Sequence, residues 1–180
     1  MGVSIFLLDW LLRLAILGVW YYFYRESITL PRSGSSWLTF PNIWSVILAT
    51  LLIIIGARVI EIATGILMIN YYWGYFYFPS LPLGLLKVVD LTFGLALVAL
   101  SEELVYRRLM HDVIESYTTK AFIIYFASSL IFAILHVPQD LERASVAFFA
   151  GFVLMHVYKS RGTLLVPIAI HYLVNLYFMA

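Results

Sequence analysis

The sequence contains no cysteine and few charged residues. Without cysteine, the chain has no disulfide, no thiolate nucleophile and no cysteine-ligated metal site. Charged residues make up 12% of the chain and hydrophobic residues 63%, with a mean hydropathy of +0.96. Soluble domains have about 25% charged and about 45–50% apolar residues. The composition therefore excludes an ordinary soluble domain, and a net charge of +1 offers no basic face to nucleic acid.

Long apolar runs take the place of the missing charges. A helix needs about 20 apolar residues to cross a bilayer, and the last three runs are shorter than the first three. We predict an all-α fold, a polytopic membrane helix bundle of about six transmembrane or partly inserted helices, built as a single integral membrane domain over residues 1–180. The predicted helices are Ser4–Tyr24, Trp44–Ile69, Leu81–Met110, Ala121–His136, Ala144–Tyr158 and Leu164–Ala180.

The few charges inside these runs mostly come in pairs. An ionisable group in a membrane helix costs about 2.5–3.5 kcal/mol on insertion scales, so each one needs a partner or a function. Three acid–base pairs are three or four residues apart, and each can neutralise itself on one helix face. We interpret these as structural pairs, namely Asp9–Arg13, Arg58–Glu61 and Lys87–Asp90.

Glu102 has no such partner on its own helix. Glu103 can reach Arg107 one turn later, whereas the residues three and four positions after Glu102 are uncharged. A carboxylate left unpaired at the end of an apolar run is desolvated, which suits it to act as a general base. The alternative is that Glu102 only extends to the membrane interface or pairs with Arg108.

Three further polar side chains lie in the later apolar helices. His136 ends the fourth run, and His171 and Asn175 share one face of the sixth run at a spacing of four residues. If the third and fourth helices are antiparallel around a turn near Lys120, Glu102 and His136 lie about 27 and about 24 Å from that turn. We therefore expect these two side chains at a similar depth in the membrane.

Three short polar motifs occur in order along the second half of the chain. The string EELVYRR at 102–108 fits Glu-Glu-x-x-x-Arg, FAILH at 132–136 fits Phe-x-x-x-His, and HYLVN at 171–175 fits His-x-x-x-Asn. The ordered set resembles the CPBP (Abi) family of intramembrane glutamic endopeptidases, which contains the Rce1-type CAAX prenyl proteases. The resemblance covers about residues 86–180 as a catalytic core and leaves residues 1–85 as additional helices.

The resemblance implies four catalytic residues and one supporting pair. Glu102 would activate the attacking water, with His136 holding or deprotonating that water, or Glu102 would attack the peptide bond directly. His171 and Asn175 would donate hydrogen bonds to the developing oxyanion, an interaction that membrane burial strengthens. The supporting pair that orients the site would be Glu103 and Arg107.

The function predicted from these residues is peptide-bond hydrolysis in a membrane, with no metal and no cofactor. We expect a membrane-associated or lipid-anchored peptide or protein as substrate, cut during peptide maturation or protein sorting. The expected partners are membrane lipid and this substrate, with no nucleic acid, and the expected location is a prokaryotic cell (inner) membrane.

Two other functions stay open at this point. A zinc-dependent membrane protease could use Glu102, His136 and His171 as ligands, although no His-Glu-x-x-His segment is present. A non-catalytic membrane partner, such as a bacteriocin-immunity protein, could use the same fold without turnover. A transporter is less favoured, because no inverted repeat is visible.

Overall fold

The computed structural model describes residues 2–24, 40–66 and 84–179. Every secondary-structure element in these ranges is helical, which confirms the predicted all-α helix bundle. The elements are, in chain order, α1 (Gly2–Tyr24), α2 (Phe40–Ile66), α3 (Leu85–Val89), π1 (Asp90–Gly94), α4 (Leu95–Glu103), π2 (Leu104–Leu109), α5 (Met110–Glu115), α6 (Ala121–Ile134), α7 (Leu141–Arg161) and α8 (Leu165–Met179).

Elements α3 to α5 follow one another without a break. Residues 85–115 therefore form one rod, which we call the composite helix, and the described residues contain six helical rods when it is counted as one. Two π-helical turns interrupt its α-helical pattern, and π turns inside α-helices are frequent at functional sites. The second of them, π2, begins directly after Glu103.

The ends of α7 differ from the prediction because caps, and not apolar residues, determine them. The apolar run predicts a helix over Ala144–Tyr158, whereas α7 covers Leu141–Arg161. At its start, Asp140 Oδ1 accepts the backbone N–H of Arg143 at 2.6 Å, and at its end Gly162 takes the left-handed conformation with φ 65°. Parts of the predicted second, third and sixth helices lie outside the described residues, namely 67–69, 81–83 and 180.

Two of the described helices are long and apolar enough to cross a membrane. They are Asn42–Gly65 within α2 and Leu141–Arg161, which is α7. Most of the α2 span is exposed in the folded chain, including Leu48 and Ile55, so that lipid is the natural contact for this surface. Helices α6 and α8, with 14 and 15 residues, are shorter apolar helices packed in the same bundle.

Helix α7 is the central element of the bundle. It packs against α2, α6 and α8, and the core that it forms with α2 and α8 includes the buried side chains of Ile53, Leu154 and Ile170. Where α7 meets α6, a Cβ atom built on Gly151 would lie 3.2 Å from the Cα atom of Ser129. Small residues at this crossing therefore allow the two backbones to approach closely, as is common in membrane bundles.

Helix α1 docks on the composite helix through polar and aromatic contacts. Trp10 Nε1 donates to Asp90 Oδ1 at 3.1 Å, and the Trp10 ring meets Phe93 edge-on with ring centroids 5.7 Å apart. Asp90 thus takes its partner from α1, and no ion pair joins it to Lys87 within the described ranges. The predicted Lys87–Asp90 pair is wrong, because the side chain of a neighbouring helix replaces the partner on the same helix.

Candidate active site

Glu103 is the buried centre of a polar cluster between the composite helix and α8. Its Oε1 lies 2.8 Å from Nδ1 of His171, and its Oε2 lies 3.0 Å from Nε of Arg107, one turn later on the composite helix. The side chains of Glu103 and Arg107 are completely buried. The Glu103–Arg107 contact expected from sequence is therefore present, and its carboxylate also binds a histidine from another helix.

His171 is fixed in one orientation by this carboxylate. An ionised glutamate only accepts hydrogen bonds, so the Nδ1 that faces Glu103 carries the proton. The other ring nitrogen, Nε2, then lies 3.7 Å from Oε2 of Glu102, which is beyond direct hydrogen-bond distance. His171 therefore lies between two glutamates, bound to one and facing the other, as in other sites where a carboxylate orients a functional imidazole.

Glu102 has a partner from a different helix. Oε1 of Glu102 lies 3.0 Å from Nη1 of Arg13 on α1, and the side chain of Glu102 keeps 21% of its surface exposed. The alternative pairing with Arg108 is not formed, because Arg108 Nε lies 3.1 Å from Oδ2 of Asp112. The predicted Asp9–Arg13 pair is confirmed at 2.8 Å, but the same guanidinium also reaches Glu102.

The ring of Phe132 connects the two histidines of the predicted site. Its centroid lies 4.7 Å from that of His136 and 6.2 Å from that of His171. The guanidinium carbon of Arg107 lies 5.0 Å from the same ring, a cation–π contact. His136 therefore belongs to the same cluster as His171, although the contact between them passes through an aromatic ring.

The hydrogen bond of His136 determines which of its nitrogens is available. Nδ1 lies 2.9 Å from the carbonyl oxygen of Phe132, and because a carbonyl only accepts, Nδ1 is the donor. In the neutral ring this leaves Nε2 as an acceptor. The side chain of His136 lies at a partly exposed position.

Asn175 lies one turn after His171 on α8. The spacing of four residues places both on one face of the helix, and Asn175 is half-buried. The structure brings Arg107, Glu103, His171 and Glu102 each within 3.7 Å of the next and His136 beside Phe132, whereas among the described residues Asn175 is linked to the cluster only by sharing a face of α8 with His171.

Arg107 is the least satisfied member of the cluster. Its Nε is 3.0 Å from Glu103 Oε2, but neither atom has the geometry of a hydrogen bond, so charge attraction holds the pair. Both terminal nitrogens of this buried guanidinium have no acceptor within the described part of the chain. The positive charge is balanced by Glu103 and by the face of the Phe132 ring.

Some site contacts were missed by the sequence analysis. Phe132 could have been found, because it is the first residue of the Phe-x-x-x-His motif, although its contact with Arg107 was not evident. No sequence pattern indicated that Arg13 or Ser101 would contact the site. Their contact joins residues 88 positions apart in the chain, and only the packing of α1 on the composite helix brings them together.

One group of possible metal ligands occurs among the described residues, and it lies outside this cluster. Atoms of His111, Asp112 and Glu115 lie within 4.8 Å of one another, whereas Glu102, His136 and His171 do not form such a group. Lys159 Nζ donates to Glu115 Oε1 at 3.0 Å, and mainly for this reason the pKa of Glu115 lies below its ordinary value. Asp112 and Glu115 thus already pair with Arg108 and Lys159.

Comparison with known proteins assigns the chain to a family. A family model described as type II CAAX prenyl endopeptidase, Rce1-like, matches residues 84–177, which is just over half of the chain and contains all three motifs. No curated protein and no solved structure shows a significant match. The resemblance drawn from the motifs is confirmed: this chain belongs to the Rce1-like family of CAAX endopeptidases, which are membrane-embedded peptide hydrolases.

Proposed function

We propose that the chain is a glutamic intramembrane endopeptidase in which Glu102 activates water, His136 holds that water, and His171 with Asn175 stabilises the oxyanion. Membership in the Rce1-like family establishes an endopeptidase of CAAX type. The observation that carries the mechanism is the place of His171, 2.8 Å from Glu103 and 3.7 Å from Glu102. An imidazole that one carboxylate orients, next to the carboxylate that acts as general base, is well placed to stabilise the charge that develops in the reaction.

In the proposed first step, Oε2 of Glu102 takes a proton from a water molecule. The oxygen of that water forms a bond to the carbonyl carbon of the peptide, and the carbonyl π electrons move to the oxygen to give a tetrahedral oxyanion. His136 supports this step because its Nε2 is free to accept a hydrogen bond and can hold the water in place. When the C–N bond breaks, the proton held by Glu102 passes to the departing nitrogen.

The second part of the proposed mechanism is the stabilisation of the oxyanion by hydrogen-bond donors. His171 in its protonated form, balanced by Glu103, would donate from Nε2 to this oxygen, and the amide of Asn175 on the same helix face would donate a second hydrogen bond. Arg107 and Glu103 would contribute by holding the ring of His171. Preorganised donors of this kind are strongest where water is excluded, as in a membrane bundle.

The proposed substrate is a membrane-associated or lipid-anchored peptide, cut in peptide maturation or protein sorting. The exposed leucines and isoleucines of α1 and α2 support this proposal, since they offer a lipid-facing surface beside the cluster. We propose a prokaryotic cell membrane as the location. The core over 86–180 would carry the chemistry, and the helices of 1–85 would complete the single domain.

A comparison of peptide termini tests this function. Membranes are taken from cells that express the wild type, Glu102→Gln or no copy of the chain, and the termini of their peptides are identified by mass spectrometry. We expect at least one new terminus with the wild type only, because the glutamine amide cannot accept a proton from water. The sequence around that terminus would identify the substrate.

The matched control is Glu61→Gln, which alters an exposed carboxylate paired with Arg58 on α2. This control should give the wild-type termini. If Glu102→Gln is expressed and gives the same termini as the wild type, catalysis by Glu102 is contradicted. If all membranes agree while a phenotype of the chain persists, the chain acts as a non-catalytic membrane partner.

A further inference from the structure

Arg13 enters the candidate site from a helix that the family match does not include. The match begins at residue 84, whereas Arg13 lies on α1 and contacts Glu102 across 89 positions of sequence. Its side chain is mostly buried, with 17% of its surface exposed. The general base of the proposed reaction is therefore bound by a residue outside the family core.

Three acceptors hold the guanidinium of Arg13 in one place. Nε lies 2.8 Å from Oδ2 of Asp9, and Nη1 lies 3.0 Å from Oε1 of Glu102 and 3.1 Å from Oγ of Ser101. The Ser101 hydroxyl donates to the carbonyl oxygen of Val98 at 3.1 Å, which directs a lone pair of Oγ toward Arg13. A guanidinium held in this way has a fixed direction and not only a fixed charge.

Neutralising the charge of Arg13 does not require Glu102. Asp9 already pairs with Arg13 one turn away on the same helix, and this pair alone would neutralise the Arg13 charge within the membrane. Glu102 depends more on this contact, because its only other ion-pair contact within 4.0 Å in the described structure is with His171, at 3.7 Å. The Arg13–Glu102 contact therefore matters more for neutralising and holding Glu102 than for neutralising Arg13.

We propose that Arg13 is a positioning residue that holds Oε1 of Glu102, so that Oε2 faces His171 and the attacking water. This inference rests on the proposed function of Glu102. Because Oε1 is bound by Nη1, the carboxylate cannot rotate freely, and the oxygen 3.7 Å from Nε2 of His171 is the one left for catalysis. Fixing a general base in a productive geometry lowers the barrier without touching the substrate.

The test compares kcat and KM of full-length variants in proteoliposomes, with the peptide identified by mass spectrometry as substrate. We expect Arg13→Gln to lower kcat by about 10²-fold while KM stays near the wild-type value, because substrate binding is not altered. Arg13→Lys should recover only part of the lost kcat, since an ammonium keeps the charge beside Oε1 but not the fixed direction of the guanidinium. A merely structural role would not separate kcat from KM in this way.

Arg13→Gln leaves Asp9 unpaired in the membrane and can impair folding for that reason. The double variant Asp9→Asn/Arg13→Gln removes both charges of α1 and should show the same loss of kcat. The matched control is Arg58→Gln, which removes an arginine paired with Glu61 on α2. Arg58 also contacts Tyr177 and Phe178 near the end of α8, but no ion pair or hydrogen bond joins it to a described residue of the cluster. This control should keep the wild-type kcat.

The outcomes separate this inference from the proposed function. If Glu102→Gln is inactive but folded Arg13→Gln and the double variant keep the wild-type kcat, the positioning role is overturned. It is also overturned if Arg13→Lys is no more active than Arg13→Gln. If Glu102→Gln itself keeps the wild-type kcat, the proposed function fails and the inference fails with it.

Discussion

At the scale of single residues, the site is a line of alternating basic and acidic side chains. Arg107, Glu103, His171, Glu102 and Arg13 follow one another, and each contacts the next within 3.7 Å. Glu103 and Arg107 are buried completely, whereas Glu102 keeps part of its surface exposed. Two neighbouring glutamates thus have different surroundings, which suits one for orientation and the other for chemistry with water.

The buried Glu103–Arg107 pair leads to a prediction that separates stability from activity. Arg107→Met leaves the carboxylate of Glu103 uncompensated, and we expect this to cost about 3–5 kcal/mol of unfolding free energy. The double variant Glu103→Met/Arg107→Met buries no charge and should recover most of that stability. Its peptidase activity should remain low, because His171 has lost the carboxylate that orients it.

Thermal unfolding in detergent, followed by circular dichroism, measures the first effect, and cleavage in proteoliposomes measures the second. A double variant as unstable as Arg107→Met would contradict the account of the buried pair. A double variant with wild-type activity would contradict the orienting role of Glu103.

At the scale of elements, the crossing of α6 and α7 depends on a residue without a side chain. A Cβ atom on Gly151 would lie 3.2 Å from both Cα and Cβ of Ser129, so a larger side chain has no room there. This crossing matters for the site because α6 carries Phe132, which contacts Arg107 and both histidines. Displacing α6 would therefore move the ring that joins the cluster.

We predict that Gly151→Leu destabilises the chain by about 1–3 kcal/mol, because the leucine must push the two backbones apart. The matched control is Gly65→Leu near the end of α2, where a Cβ atom meets nothing within 4 Å. Unfolding in detergent should show a loss for Gly151→Leu and no loss for Gly65→Leu. Equal stability of the two variants would show that the close crossing is unimportant.

The sequence predicts the elements better than the contacts between them. Long apolar runs locate all six helical rods, and the motifs locate the residues of the cluster on the composite helix, on α6 and the turn after it, and on α8. The ends of α7 depend on caps at Asp140 and Gly162, which a count of apolar residues does not see. The contact of Arg13 with Glu102 depends on how α1 packs, and no local pattern encodes that packing.

At the scale of the whole molecule, the family match and the remaining helices divide the chain. The match over residues 84–177 contains the composite helix, α6, α7 and nearly all of α8, so that every motif lies within it. Helix α2 packs against α7 and α8, and α1 packs against α4 and reaches Glu102. The part of the bundle outside the match therefore supplies both core packing and one direct contact to the site.

We propose above all that Glu102 is the general base of the hydrolysis. The most direct test of this claim is the cleavage rate of purified wild type, Glu102→Gln and Glu61→Gln in proteoliposomes, with the peptide found by mass spectrometry. We predict that Glu102→Gln loses at least about 10²-fold in kcat, as expected for removal of a general base, while Glu61→Gln keeps the wild-type rate. A folded Glu102→Gln that cleaves at the wild-type rate would contradict the claim.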